Sequence, residues 1–320
     1  MVKKILTSFI AFLMAITTVF CAVGCEKTDN GATMSADEIF SAYTPAVVEV
    51  IASEKSGSAF VIETTDSEIV LATAYHVTGY DASRVKFRFY GEDTFVGGGS
   101  CIGYDLKHDL AFFTIAKGSI SAKTVRALST DLVKSGEKVY AIGNANGEGI
   151  CITDGIVSVS EDIVKYGQSN YYKPLIRTTA SVLGGMSGGI LVSDSGKVVG
   201  MTVASDEVYQ SLNYALPVQL IKTVYDKVKT NRQNEQVRYP SFSIIREDRN
   251  EGSSIKKVTE VTIKGSVFTF DGKLIDSVDN KSYSSINGRS FDSITSLVAS
   301  IIAVDGDEVT LKGADGEKVL

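Results

Sequence analysis

A chain of 320 residues with 44% hydrophobic residues, 29 Gly and only 4 Pro has room for two folded units, and its composition excludes a wholly disordered or collagen-like polypeptide. The net charge is −6, and no Lys/Arg cluster interleaves with aromatic residues, which argues against a nucleic-acid partner. Two histidines and no Cys-x-x-Cys pair argue against a dedicated zinc site.

At the N-terminus, Lys3 and Lys4 precede an apolar run over 5–23, which reads as an export signal of residues 1–24. Ala22-Val23-Gly24-Cys25 resembles the lipobox of bacterial lipoproteins, with Ala22 where Leu is usual. That resemblance implies a lipid on Cys25 after the signal is cut, and a polar tether over 25–34. An uncleaved transmembrane anchor is the alternative, because the run approaches the ~20 residues that span a bilayer. Both readings place the remainder at a cell membrane, facing outside the cytoplasm.

Next, Ser35 and Glu38 have capping-box spacing, and Ile39, Phe40 and Tyr43 follow at helical intervals, predicting a short helix ended by Pro45. Runs rich in Val, Ile, Phe and Tyr follow at 47–51, 58–62, 69–73, 85–90 and 111–115, then at 138–142, 149–159, 175–179, 190–192, 198–203 and 213–216. Gly, Asp and Ser clusters separate them, the pattern of antiparallel sheets curling into barrels. The fold class is therefore mainly β, with two antiparallel units at about 45–120 and 125–217. Ile221, Val224, Tyr225 and Val228 recur at helical spacing, predicting a helix that packs back on the second unit. The polar stretch that begins at residue 231 predicts a linker over 231–242, and 243–320 is a separate small β-containing module. Cys101 and Cys151 are either one disulfide or two buried thiols.

Gly185-Met186-Ser187-Gly188-Gly189 is the strongest chemical signal. Flanking glycines let the backbone turn tightly around a serine and aim its hydroxyl and successive N–H groups at one spot; the plain alternative is a Gly-rich hairpin turn. The same pentapeptide fits the Gly-x-Ser-x-Gly elbow of α/β-hydrolases, but those take a histidine from later in the chain, and none follows Ser187. A subtilisin-like order through Asp66 is available, against which the β-rich pattern argues. His76 stands at the end of an apolar strand, where an imidazole can act as a general base. Asp109 opens the apolar run Leu110 to Ile115, a place from which a carboxylate can hold a histidine Nδ1, whereas His108 reads as a plain loop residue.

Nine segments in order resemble the HtrA/Deg group of trypsin-fold serine proteases over residues ~36–228: SAYTPAVVEV (41–50), GSAFVI (57–62), TAYHV (73–77), DLA (109–111), YAIGN (140–144), TDGIVS (153–158), IRT (176–178), GMSGG (185–189) and NYALP (213–217). The resemblance implies a trypsin-like serine protease domain of two β-barrels over 35–230, with His76 as base, Asp109 as orienting acid and Ser187 as nucleophile. It also implies an oxyanion hole of the backbone N–H groups of Gly185, Met186 and Ser187. Met186 stands where the family usually has Asn, and Thr179 and Leu183-Gly184 replace an Asp and an Asn-Pro pair. A specificity pocket is expected from Thr202, Val203, Ala204 and Ser205, which contain no acidic residue, so small or medium aliphatic residues are expected on the acyl side of the cut. The 243–320 module sits where such proteins carry a PDZ domain, and a degenerate PDZ or an unrelated β module both fit. The expected function is a membrane-tethered serine endopeptidase acting on unfolded or extended polypeptides without a cofactor or metal; the alternative is a decayed protease fold used as a sensor or binding module. Monomer and homo-oligomer are both open.

Overall fold

The computed structural model describes residues 33–320 except 54, 127, 166–170, 206–211, 252 and 253. The expected signal, Cys25 and all of the tether before residue 33 lie outside the described residues. Among the described residues, no helix is long and apolar enough to cross a membrane.

Helix α1 (Ala36–Tyr43) starts where Glu38 accepts the Ser35 N–H at 2.8 Å, as the capping-box spacing predicts. Its apolar positions Ile39 and Tyr43 are buried, and the Tyr43 hydroxyl donates to the Gly196 carbonyl. The chain then forms β1 (Val47–Ala52), β2 (Lys55–Thr64), β3 (Glu68–Ala74), β4 (Val85–Arg88), β5 (Ser100–Asp105) and β6 (Leu110–Ala116). They make one antiparallel sheet of order β4-β1-β2-β3-β6-β5, with the short helix α2 (Tyr75–Thr78) directly after β3. This first unit is open between β4 and β5, while the second closes.

The second unit comprises β7 (Lys138–Asn144), β8 (Ile150–Lys165), β9 (Tyr172–Thr178), β10 (Ile190–Ser193), β11 (Val198–Ser205) and β12 (Asn213–Pro217) in a closed barrel. Closure removes free strand edges and gives the barrel its own apolar filling, including Val139, Ala141, Ile176, Met186 and Leu191. Helix α3 (Val218–Asn231) buries Leu220, Ile221, Val224, Tyr225 and Val228 on one face. It was expected to pack on the second unit; in fact it lies across both, touching β5 and β6 as well as β11 and β12. Tyr225 packs on Phe112 with ring centroids 5.3 Å apart, and its hydroxyl donates to Glu63 at 3.1 Å.

The stretch between α3 and the next strand does not hang free. Its backbone pairs with β5, the Tyr104 N–H donating to Glu235 O at 3.1 Å and the Val237 N–H to Tyr104 O at 2.8 Å. A five-stranded antiparallel sheet follows, β13 (Phe242–Glu251), β14 (Ser254–Ile263), β15 (Ser266–Phe270), β16 (Leu274–Asp276) and β17 (Ser282–Tyr283). A second small sheet, β18 (Ser285–Ile286), β19 (Arg289–Ser290), β20 (Thr310–Gly313) and β21 (Gly316–Val319), carries helix α4 (Ile294–Ile302). Helix α4 packs against α3, and Glu161 of β8 accepts the Thr295 N–H at 2.7 Å, a carboxylate at a helix N-terminus.

Candidate active site

Strand β3 ends at Ala74 and turns at once into α2, which leaves His76 on the rim with its side chain 44% exposed. Asp109 closes the turn between β5 and β6 at φ +60°, a left-handed conformation that Asp tolerates better than most side chains. The Tyr75 N–H donates to Asp109 O at 3.0 Å, and the His76 N–H to Asp109 Oδ1 at 2.8 Å. His76 Nδ1 lies 2.6 Å from Asp109 Oδ2. A carboxylate acceptor puts the proton on Nδ1 and leaves the Nε2 lone pair free to take another.

The Ser187 loop is fixed by its glycines. Gly185 has φ +83°, and a Cβ there would lie 2.4 Å from Asn144 O; Gly188 has φ +89°, and its Cβ would lie 2.0 Å from Ser58 O. Buried Ser58 ties the loop to β2 and β7. Its N–H donates to Ser187 O at 2.9 Å, its hydroxyl to Gly185 O at 2.8 Å, and that hydroxyl receives the Asn144 N–H at 2.8 Å. The Asn146 N–H holds Gly184 O at 2.6 Å. In a trans peptide the C=O and N–H point in opposite directions, so this bond turns the Gly185 N–H away from Asn146.

Among the described residues, the N–H groups of Gly185 and Ser187 donate to no acceptor, whereas the Met186 N–H is spent on Leu183 O at 3.0 Å. Of the three N–H groups expected as donors at 185–187, two are thus left without an acceptor among the described residues. The Met186 side chain is fully buried in the barrel's apolar filling. The Ser187 hydroxyl donates to Val203 O at 3.3 Å and makes no hydrogen bond with His76.

Strand β11 borders the loop through its main chain. Thr202 and Val203 have buried side chains, with Thr202 Oγ1 donating to Met186 O at 2.6 Å. The backbones of Ala204 and Ser205 pair with Tyr214 and Asn213, and their side chains lie outside the described residues. Beside His76 opens a cleft of ≈ 720 Å³ lined by Tyr75, Val77, Tyr80 and Arg84, among others. A second cavity of ≈ 650 Å³, between α3 and the C-terminal strands, contains none of the three expected catalytic residues.

His108, expected as a plain loop residue, is 1% exposed, and its Nδ1 lies 2.7 Å from Asp105 Oδ2. The signal in the sequence was the Asp105-x-x-His108 spacing across one turn, immediately before Asp109. Ser58 and Asn144, which shape the Ser187 loop, lay within segments 57–62 and 140–144, but nothing in the residue types pointed to their bonds. Cys101 and Cys151 are both free. Burial pushes the Cys101 thiol up to about 11. Among the described residues no cluster of His, Cys, Asp and Glu could hold a metal ion.

The family model of the trypsin-like peptidase domain matches residues 57–201. The chain is 24% identical over 262 residues to a protein named "Serine protease HtrA-like" from Staphylococcus aureus strain MRSA252, covering 79% of this chain and 33% of that protein. It is 25% identical over 236 residues to its namesake in strain bovine RF122 / ET3-1, covering 71% and 30%. The chain thus spans about a third of the length of the curated relatives it matches. Among solved structures, the serine endoprotease from Yersinia pestis superposes with a TM-score of 0.54 at 20% identity, covering 90% of this chain and 96% of that one, which shows the shared fold. Residues 57–201 therefore match a trypsin-like peptidase domain, and the chain is similar to HtrA-like serine proteases, in a fold of one closed six-stranded barrel, one half-barrel and added C-terminal sheets.

Proposed function

We propose that the chain is a membrane-tethered, extracytoplasmic serine endopeptidase that cleaves unfolded or extended polypeptides through an acyl-enzyme. The observation that carries this reading is the double engagement of His76 by Asp109, at its backbone N–H and at Nδ1, 2.8 and 2.6 Å away. A solvated turn aspartate has no need of either bond; the Nδ1 bond holds a base in one tautomer, and the backbone bond fixes the carboxylate beside it.

In this reading the Ser187 hydroxyl swings from Val203 O toward His76, and Oγ attacks the scissile carbonyl while His76 Nε2 takes its proton. The tetrahedral oxyanion is met by the N–H groups of Gly185 and Ser187. His76 then passes the proton to the leaving amine, and water repeats the sequence to release the acid. The segment 202–205 has no acidic side chain, which supports small or medium aliphatic residues on the acyl side of the cut. Lipid on Cys25 would hold the enzyme at the membrane.

The test is hydrolysis of unfolded casein. Ser187→Ala and His76→Ala are each expected to reduce turnover roughly 10⁴–10⁶-fold with folding retained. Near-normal cleavage by Ser187→Ala would refute the assignment. A second reading, a protease fold decayed into a sensor, draws on the Ser187 hydroxyl resting on Val203 O. It requires the wild-type chain itself to be inert on casein.

A further inference from the structure

The proposed chemistry depends on how Asp109 is held, and a second carboxylate lies buried four residues before it. Asp105 is 0% exposed. Its Oδ2 meets His108 Nδ1 at 2.7 Å, and its Oδ1 accepts the Lys107 N–H at 3.0 Å. Those bonds are local to the turn. Two more come from far along the chain, the Tyr239 hydroxyl at 3.0 Å and Gln236 Nε2 at 3.3 Å, both on Oδ1. Burial acts to raise the Asp105 carboxyl, but the His108 imidazole and the hydroxyl and amide donors outweigh it and hold the group below the usual carboxylate range.

The same segment grips the rest of the turn. Gln236 Oε1 accepts the Leu106 N–H at 2.9 Å, and Lys107 Nζ donates to Phe242 O while lying 3.2 Å from that ring's centroid. The His108 ring stacks on Phe242 and tilts against Tyr239, with centroids 6.2 and 6.1 Å away. From β9, Lys173, 2% exposed, adds a positive charge that acts on both Asp105 and Asp109. The segment of residues 235–242 is thus a cover on the turn that ends, in a left-handed conformation, at Asp109.

We propose that this cover is part of the catalytic machinery: Gln236 and Tyr239 are positioning residues that act through Asp105 to fix the turn presenting Asp109 to His76. The proposal rests on the triad reading above. A buried carboxylate stripped of a donor must find a replacement, and water is the only abundant one. Admitting it opens the turn, and the His108–Asp109 peptide moves with it. Misplacement of a reacting group by a fraction of an ångström to one ångström is enough to slow chemistry without weakening substrate binding.

The experiment uses the full-length chain and the variants Tyr239→Phe, Gln236→Ala and Ser187→Ala. Tyr239→Phe keeps the ring contacts and removes only the hydroxyl. Its kcat on an extended peptide is expected to fall about 10- to 100-fold with KM changed by less than about twofold. In proton NMR, the downfield resonance of the His76 Nδ1–H bonded to Asp109 is expected to broaden or move upfield. Wild-type kcat and an unchanged resonance in Tyr239→Phe and Gln236→Ala would overturn the proposal, as would lowered thermal stability with both readouts unchanged below the melting transition. If Tyr239→Phe does not fold, Gln236→Ala, altered at a half-buried side chain, decides on the same readouts. Failure of the triad reading has a separate signature, hydrolysis persisting in Ser187→Ala, and the resonance needs no turnover to report on Asp109.

Discussion

Asp109 is the residue on which backbone geometry and chemistry meet. It occupies a left-handed position, accepts two bonds from His76 and lends its carbonyl to Tyr75. Asp109→Asn keeps a side chain that tolerates this conformation, so the fold is expected to survive with little change in melting temperature. The amide favours the wrong imidazole tautomer, and kcat is expected to fall about 10⁴-fold in steady-state peptide hydrolysis. Lys107 provides a pH test of the neighbouring turn. Burial lowers its ammonium to about 8, with Asp105 acting in opposition. A free lysine titrates near ~10.4, so between about pH 8 and that value the unfolded chain binds more protons than the folded one, and stability contributed by this group rises with pH. Below about pH 8 both states are protonated and the penalty is constant. Denaturant midpoints of wild type relative to Lys107→Met are therefore expected to climb from pH 8 to pH 10; a flat difference would show that the ammonium is not buried as described.

At the scale of elements, most strands were legible because their apolar, β-branched runs are bounded by turn residues. Strand β5 was not, since Gly97, Gly98, Gly99 and Gly103 break its pattern; it contains a bulge, with Gly103 at φ +153°. Strand β13 was not distinguished within the 243–320 module because its second half is charged, yet it pairs with β14 over ten residues. The expectation of His76, Asp109 and Ser187 came from their local contexts together with the family resemblance, whereas the parts played by Ser58 and Asn146 were not legible in the sequence. Ser58 acts through one N–H and one hydroxyl, Asn146 through a main-chain N–H, and none leaves a mark in composition or periodicity. Met186 is similar: in the sequence it is only a departure from the family pattern, and its fully buried side chain ties the Ser187 loop to the barrel interior. Met186→Ala is expected to lose ~2–5 kcal/mol in chemical denaturation through the cavity left behind. A loss below ~1 kcal/mol would mean the loop does not depend on that packing.

For the molecule as a whole, the decisive features are its two ends. The C-terminal sheets meet the protease-type fold through α3–α4 packing, the Glu161 cap on α4 and the 235–242 segment along β5, so the module is joined by more than a tether. The N-terminal proposal is tested by mass. Two acyl chains on Cys25 would bury enough CH₂ groups, at ~0.8 kcal/mol each, for stable anchoring. The purified wild-type protein is expected to begin at Cys25 with added lipid, and Cys25→Ser to accumulate as a longer unlipidated precursor. A wild-type chain retaining residues 1–24 without lipid would instead support the uncleaved anchor.

The central claim, that Ser187 is a nucleophile activated by His76 and Asp109, is tested most directly by a fluorophosphonate probe followed by peptide mapping. An activated serine attacks phosphorus and keeps the adduct; an ordinary hydroxyl does not react on the same timescale. The account predicts one adduct on Ser187 in the wild-type chain, and none in His76→Ala or Ser187→Ala under the same exposure. No adduct on the folded wild-type protein, or labelling of Ser187 that persists undiminished in His76→Ala, would contradict it.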